Sequence, residues 1–139
     1  PKAEESAKDF AYIIEKTFLE ILAELTNPRI IILLGMGADG HTAGIFPMDR
    51  QSFSRTYQDD LTYVSVYVPS LTIDSRASFT PSWILENVDE VVGLITGEEK
   101  LEMLTKLNSE TKKLHERPAE LFNLHKNVHV YTDQDIDPK

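Results

Sequence analysis

The sequence predicts an α/β fold, a mostly parallel sheet flanked by layers of helices, and three observations carry that prediction. Phe10, Ile13, Ile14, Phe18, Ile21, Leu22 and Leu25 recur at spacings of three and four, the mark of an amphipathic helix over Ala3 to Leu25. Ile30 to Leu34 and Glu90 to Thr96 are short runs of β-branched and aliphatic residues, the pattern of strands buried on both faces of a parallel sheet. Helical and strand patterns then alternate to the end of the chain, which is the order expected of crossover connections between parallel strands.

Each element has a local reason. Asn27-Pro28 stops the first helix, because the residue before proline is pushed out of the α region. The apolar run at Ile30 ends at Gly35, and Gly35 to Ser54 reads as loop, with glycines early and Pro47 late. Thr62 to Val68 alternates in polarity and ends at Pro69, a second strand, and Ser75 to Phe79 is a short third. Thr80-Pro81 pairs a hydroxyl N-cap with proline at the first helical position, so a short helix through Trp83, Ile84 and Leu85 should follow. After the strand at Glu90, Gly97 to Lys100 opens a helix that carries Leu101, Leu104 and Leu107 on one face. Pro118 to Leu124 gives a last short helix and Val128 to Tyr131 a last strand.

The 139 residues amount to a single domain, long enough to bury a core without disulfides or a structural metal. Apolar residues at 41% and charged residues at 27% fit an ordinary globular protein rather than a disordered one. With no cysteine, a thiolate metal site and a disulfide framework are both excluded. The net charge of -9 repels a phosphate backbone, so nucleic acid is not an expected partner, and an anionic metabolite would need a local cluster of cations and N–H groups. No apolar run is long enough to span a bilayer and Pro1 to Glu5 has no signal-peptide pattern, so the expectation is a cytoplasmic protein that does not engage membranes.

In an open α/β sheet, ligands bind beyond the carboxyl ends of the strands, and the segment Gly35 to Thr42 occupies that place after the strand at Ile30. Gly35, Gly37 and Gly40 permit positive φ and close approach of a ligand to backbone N–H groups, which suits an oxyanion. Imidazole titrates near neutrality, so His41 suits a general base, with Asp39 as a carboxylate to orient it. An Asp-Gly-His triplet after a strand is equally compatible with a solvated turn. His115, His125 and His129 share no metal-ligand spacing with one another or with His41 and read as surface or strand-end histidines, so no metal site is expected. Trp83, beside Ile84 and Leu85, reads as core, and Gln58-Asp59-Asp60 as a solvated turn. Asp133, Asp135 and Asp137 alternate but lack the glycine and distal Glu of a calcium loop.

The full string Leu34-Gly35-Met36-Gly37-Ala38-Asp39-Gly40-His41-Thr42-Ala43-Gly44-Ile45-Phe46-Pro47 closely resembles the signature of the 6-phosphogluconolactonase family. The resemblance continues through Ser75 to Thr80, an arginine-led strand in which Ala77 and Ser78 depart from the family's usual pair. It runs on through Val91 to Lys100, Arg117 to Leu121 and Val128 to Asp133. It implies hydrolysis of 6-phosphoglucono-δ-lactone in the oxidative pentose phosphate pathway without metal or cofactor. His41 would activate water, Asp39 support it, the loop glycines line the substrate, and Arg76 and Lys100 hold its phosphate.

The related glucosamine-6-phosphate deaminase/isomerase group shares an Asp-Gly-His loop. It usually carries a carboxylate shortly afterwards, where this chain has Gly44-Ile45-Phe46-Pro47. Family members are longer before the point corresponding to Pro1, so the resemblance also implies that the sheet's N-terminal strands and a phosphate loop are missing. A completing N-terminal segment or self-association is then expected, with a non-catalytic sugar-phosphate-binding fragment as the remaining alternative.

Overall fold

A computed structural model describes residues 3–69, 72 and 74–136; Asp137, considered above with the other C-terminal acids, lies outside the described residues. Helix α1 spans Ala3–Glu24, followed by β1 Ile31–Leu34, α2 Arg50–Thr56, β2 Tyr63–Tyr67, β3 Ser75–Phe79, α3 Pro81–Asn87 and β4 Glu90–Ile95. A 3-10 turn at Glu98–Lys100 leads into α4 Leu101–Ser109, a second at Pro118–Glu120 into α5 Leu121–Leu124, and β5 Val128–Thr132 closes the order. The layered α/β architecture with a parallel sheet is as expected.

The parallel sheet has the order β1-β4-β5. Leu34 lies opposite Gly93 in one pair and Gly93 opposite Val130 in the other, so the three strands end together and their carboxyl-end loops share one edge. β2 and β3 are not part of it. They form an antiparallel pair with Val66 opposite Arg76, and α1 packs against both. Phe18 of α1 meets the rings of Phe79 and Trp83 edge-on at 5.2 and 5.3 Å, and those two stack on each other at 4.7 Å. Trp83 is core, as expected. The α3 cap also forms as anticipated: Thr80 Oγ1 accepts from the Trp83 amide at 3.3 Å, with Pro81 opening the helix.

Three expectations need correction. β1 is not buried on both faces: it is an edge strand, and Ile31 and Leu33 are 55% and 66% exposed. Ile32 and Leu34 turn toward the core, while the opposite face, continued by Leu94 of β4 and Tyr131 of β5, is open. The periodic face of α1 is likewise only partly covered, since Phe18 and Leu22 pack on the core while Phe10, Ile13, Ile21 and Leu25 remain exposed. Finally, Gly35 to Ser54 is not loop throughout. Asp49 caps α2, its Oδ1 accepting from the Gln51 and Ser52 amides at 3.0 Å each.

Candidate functional site

The loop that leaves β1 is closed by its own backbone. The Gly37 amide donates to the His41 carbonyl at 2.8 Å and the Gly40 amide to the Gly37 carbonyl at 3.0 Å. Thr42, fully buried, donates its hydroxyl to the Gly35 carbonyl at 2.7 Å and forms a two-way backbone bridge with Ile45. Of the three glycines singled out in the sequence, Gly40 alone takes a positive φ, 82°. Two of the three N–H groups suggested as oxyanion donors, those of Gly37 and Gly40, are used to shape the turn instead. Gly37 is nevertheless required sterically, because a Cβ there would fall 2.1 Å from His41 Nδ1.

This closure sets His41 against Asp39. One oxygen, Asp39 Oδ1, accepts from the His41 amide at 3.1 Å and faces His41 Nδ1 at 2.5 Å, so a single carboxylate holds both backbone and ring. Burial alone would raise the Asp39 pKa, but the hydrogen bonds from the His41 amide and ring, together with the ring's charge, outweigh it and hold the carboxyl below its ordinary value. The carboxylate is therefore ionised at neutral pH. It favours the tautomer with the proton on Nδ1, which leaves the Nε2 lone pair to accept one. The His41 side chain is 34% exposed, open enough for a ligand to reach.

Arg76 and Lys100 stand on separate elements. Arg76 lies on β3, where a Cβ on Gly44 would come within 3.5 Å of the Arg76 Cβ; its Nη1 donates to the Ser75 carbonyl at 3.2 Å. Lys100 ends the 3-10 turn beyond β4, at the edge of the parallel sheet that the His41 loop also occupies, and its Nζ pairs with Glu99 at 3.5 Å. The neighbouring Gly97 amide is already engaged by the protein's own anion, the Asp133 carboxylate, at 3.0 Å. Hydrogen bonds from Gln134 and that amide hold Asp133 below its ordinary pKa.

The other histidines take no part. His125 corrects the expectation of a surface or strand-end residue: it ends α5 and is 6% exposed, with Nε2 at 2.8 Å from the Val88 carbonyl and Nδ1 at 3.2 Å from the Asn127 amide, stapling the end of α3 to the approach of β5. Among the described residues no group of three or more His, Cys, Asp and Glu is placed to hold a metal ion, and no helix is long and apolar enough to cross a membrane.

Residues 1–131 match the family described as Glucosamine-6-phosphate isomerases/6-phosphogluconolactonase. The chain belongs to this family. A 6-phosphogluconolactonase of Treponema pallidum (strain Nichols) is 40% identical over 80 residues, 58% of this chain and 31% of that protein. The crystal structure of a 6-phosphogluconolactonase from Shewanella baltica OS155 superposes with a TM-score of 0.66 at 25% identity, over 84% of this chain and 49% of that one. A 6-phosphogluconolactonase from Trypanosoma cruzi shares the fold with a TM-score of 0.68 at 23% identity, over 93% and 50%. The chain thus spans about a third to a half of the length of these relatives.

Within this member of the family, several residues that brace the loop escaped the sequence reading. The Tyr57 hydroxyl, buried at the end of α2, accepts from the Phe46 amide at 3.0 Å and donates to the Gly44 carbonyl at 2.8 Å; burial pushes its pKa up. Phe46 stacks on the His41 ring with centroids 4.8 Å apart. Ser78 receives the Gly44 amide at 3.1 Å. A buried ion pair, Arg117 with Glu120, lies beside the loop at Gly40. A helix signal at Asp49 with aromatics at Phe53 and Tyr57 was the available clue to the first of these.

Proposed function

We propose that this chain carries the hydrolytic site of a 6-phosphogluconolactonase, opening 6-phosphoglucono-δ-lactone to 6-phosphogluconate in the cytoplasmic oxidative pentose phosphate pathway. The observation that carries the reading is the pairing of His41 Nδ1 with Asp39 at the carboxyl edge of a parallel sheet. His41 Nε2 takes a proton from water as the water oxygen attacks the lactone carbonyl, and Asp39 stabilises the imidazolium that results. Collapse of the tetrahedral intermediate breaks the ring C–O bond, and the proton held on His41 passes to the departing ring oxygen. No metal or cofactor enters the reaction. Gly37 and Gly40 contribute the shape of the turn, and Gly35 the carbonyl that receives the Thr42 hydroxyl. Arg76 and Lys100 hold the phosphate, Lys100 exchanging Glu99 for it. The absence of a carboxylate in Gly44 to Pro47 supports lactone hydrolysis over sugar-phosphate isomerisation. The test compares lactone hydrolysis by the wild type and His41→Ala after subtracting spontaneous opening: equal rates would remove His41 from the mechanism, and ammonia release from glucosamine 6-phosphate would favour the isomerase branch.

The open face of the sheet supports a second element of this reading. Ile31, Leu33, Leu94 and Tyr131, with the uncovered side of α1, form apolar surface of the kind that partners cover. Relatives about twice as long or longer supply the argument for what covers it: the remainder of a family-length polypeptide, added in the same chain or as a separate one. Without it, the chain is a sugar-phosphate-binding portion with an incomplete clamp.

A further inference from the structure

Resting on the reading of His41 as the base, we infer that Phe46 and Tyr57 are positioning residues that set the plane of the His41 imidazole. The need for them follows from the side chain itself. The terminal torsion of histidine is broad, so rotamer preference does not fix the ring plane, and one hydrogen bond at Nδ1 fixes one edge of the ring while leaving it free to swing about that contact. Phe46 supplies the missing constraint by lying against the ring face, the planes 29° apart. Phe46 is 5% exposed and therefore held by its own packing.

Its backbone is fixed in turn. Residues Gly44 to Phe46 follow Ala43, which has a φ of 50°, an unusual conformation for a residue with a side chain. The turn is pinned on one side by Ser78 on the Gly44 amide. On the other side, the Tyr57 hydroxyl uses both its functions on it, accepting from Phe46 and donating to Gly44. Tyr57 is 3% exposed and closes α2, so the hydroxyl is held by a helix end and not by a mobile loop. With its edge set by Asp39 and its face by Phe46, the imidazole keeps Nε2 in one direction. A base that must meet a water and a carbonyl together depends on that.

The test uses Tyr57→Phe, which removes the oxygen alone, and Phe46→Leu, which removes the stacked ring. Ring nitrogen NMR of the four histidines, with His41→Ala giving the assignment, reads His41 without reference to any activity. In the wild type His41 is expected as the Nδ1–H tautomer with a slowly exchanging proton. In either variant that proton should exchange about 10-fold faster and the tautomer preference should weaken, and kcat for the lactone should fall about 10-fold with KM within about twofold. A folded variant whose thermal midpoint drops while the His41 signals and kcat stay unchanged would overturn the inference, leaving Tyr57 and Phe46 as packing residues only. Should Tyr57→Phe fail to fold, Phe46→Leu alone decides. Should the wild type show no lactonase activity even when supplemented with the N-terminal half of a complete family member, the proposed function fails, and the His41 signals still decide this inference by themselves.

Discussion

The amide of Ala119 donates to the carbonyl of Gly40 at 2.9 Å, and this bond ties the most buried ion pair among the described residues to the loop that carries His41. Arg117 and Glu120 flank Ala119, 4% and 0% exposed. The Arg117 guanidinium contacts Glu120, the Glu110 carboxylate and the Glu110 carbonyl, while Glu120 also accepts from Asn123 and the Lys112 amide. The Arg117 Cγ stands 3.0 Å from where a Cβ on Gly40 would lie, so the stem of Arg117 occupies the space a side chain there would need.

Removing one partner of this pair should cost far more than the pair itself contributes, because the other is left charged and buried. Arg117→Met is expected to destabilise the fold by about 3–5 kcal/mol, a figure typical of breaking buried pairs. Glu120→Gln, which keeps the shape and two of the hydrogen-bonding partners, should cost less. Urea denaturation of the two variants checks this; a wild-type midpoint in Arg117→Met would show that Glu120 is sufficiently compensated by Asn123 and the Lys112 amide.

The same pair sets an acid limit on the fold. Burial works to raise the Glu120 pKa, but hydrogen bonds from Asn123, Arg117 and the Lys112 amide, with the Arg117 charge, hold it below the ordinary 4.5. A carboxyl with a depressed folded pKa contributes stability that is complete above its unfolded value and is lost as pH falls through the folded one. Asp39 acts in the same direction, weakly because it is exposed. Thermal midpoints should therefore fall progressively below about pH 4.5, and the slope should be shallower in Glu120→Gln. An identical slope in the variant would assign the acid loss to other carboxylates.

Two glycines of the loop should respond oppositely to alanine. At Gly37 the added Cβ would fall 2.1 Å from His41 Nδ1 and 2.6 Å from Asp39 Oδ1, so the ring must move. A displacement of about 1 Å in a catalytic group costs about 10²-fold, and Gly37→Ala should lose that much lactone turnover while remaining folded. At Gly35 a Cβ meets only the Leu94 carbonyl at 3.8 Å, ordinary contact, and φ is not positive. Gly35→Ala should keep its turnover within about twofold of wild type. Comparable losses in both would mean that Gly35 is needed for substrate to reach the backbone.

The strands and the Asp39–His41 pairing were legible because they depend on local pattern: β-branched runs, turn glycines, and two residues close enough in sequence to meet without help from the fold. Thr80-Pro81 gave the start of α3 for the same reason. What escaped depends on tertiary placement. Tyr57 acts across eleven residues on Phe46, and Glu120 acts on an amide eight residues away, at distances no periodicity encodes. β1 misled because an apolar run signals burial in the finished assembly, and half of its side chains here point at a face with no cover.

That uncovered face yields the last prediction. If the remainder of a family-length polypeptide docks on it, the 139-residue chain alone should bind the phosphorylated lactone weakly even with His41 intact, since Arg76 and Lys100 supply only part of the clamp and remote contacts help orient the reacting group. Adding a separately expressed N-terminal half of a complete family member should raise kcat/KM. Leu33→Lys should abolish that gain without altering the chain's own fold, because Leu33 is 66% exposed and touches solvent rather than core. His41→Ala should abolish it as well, by removing the base. The two failures are separable: mixing and sedimentation should show the Leu33→Lys chain unable to associate with the added half, and the His41→Ala chain associating normally but inert. Full lactonase activity in the wild-type chain with no second polypeptide would mean that the open face plays no part in completing the site.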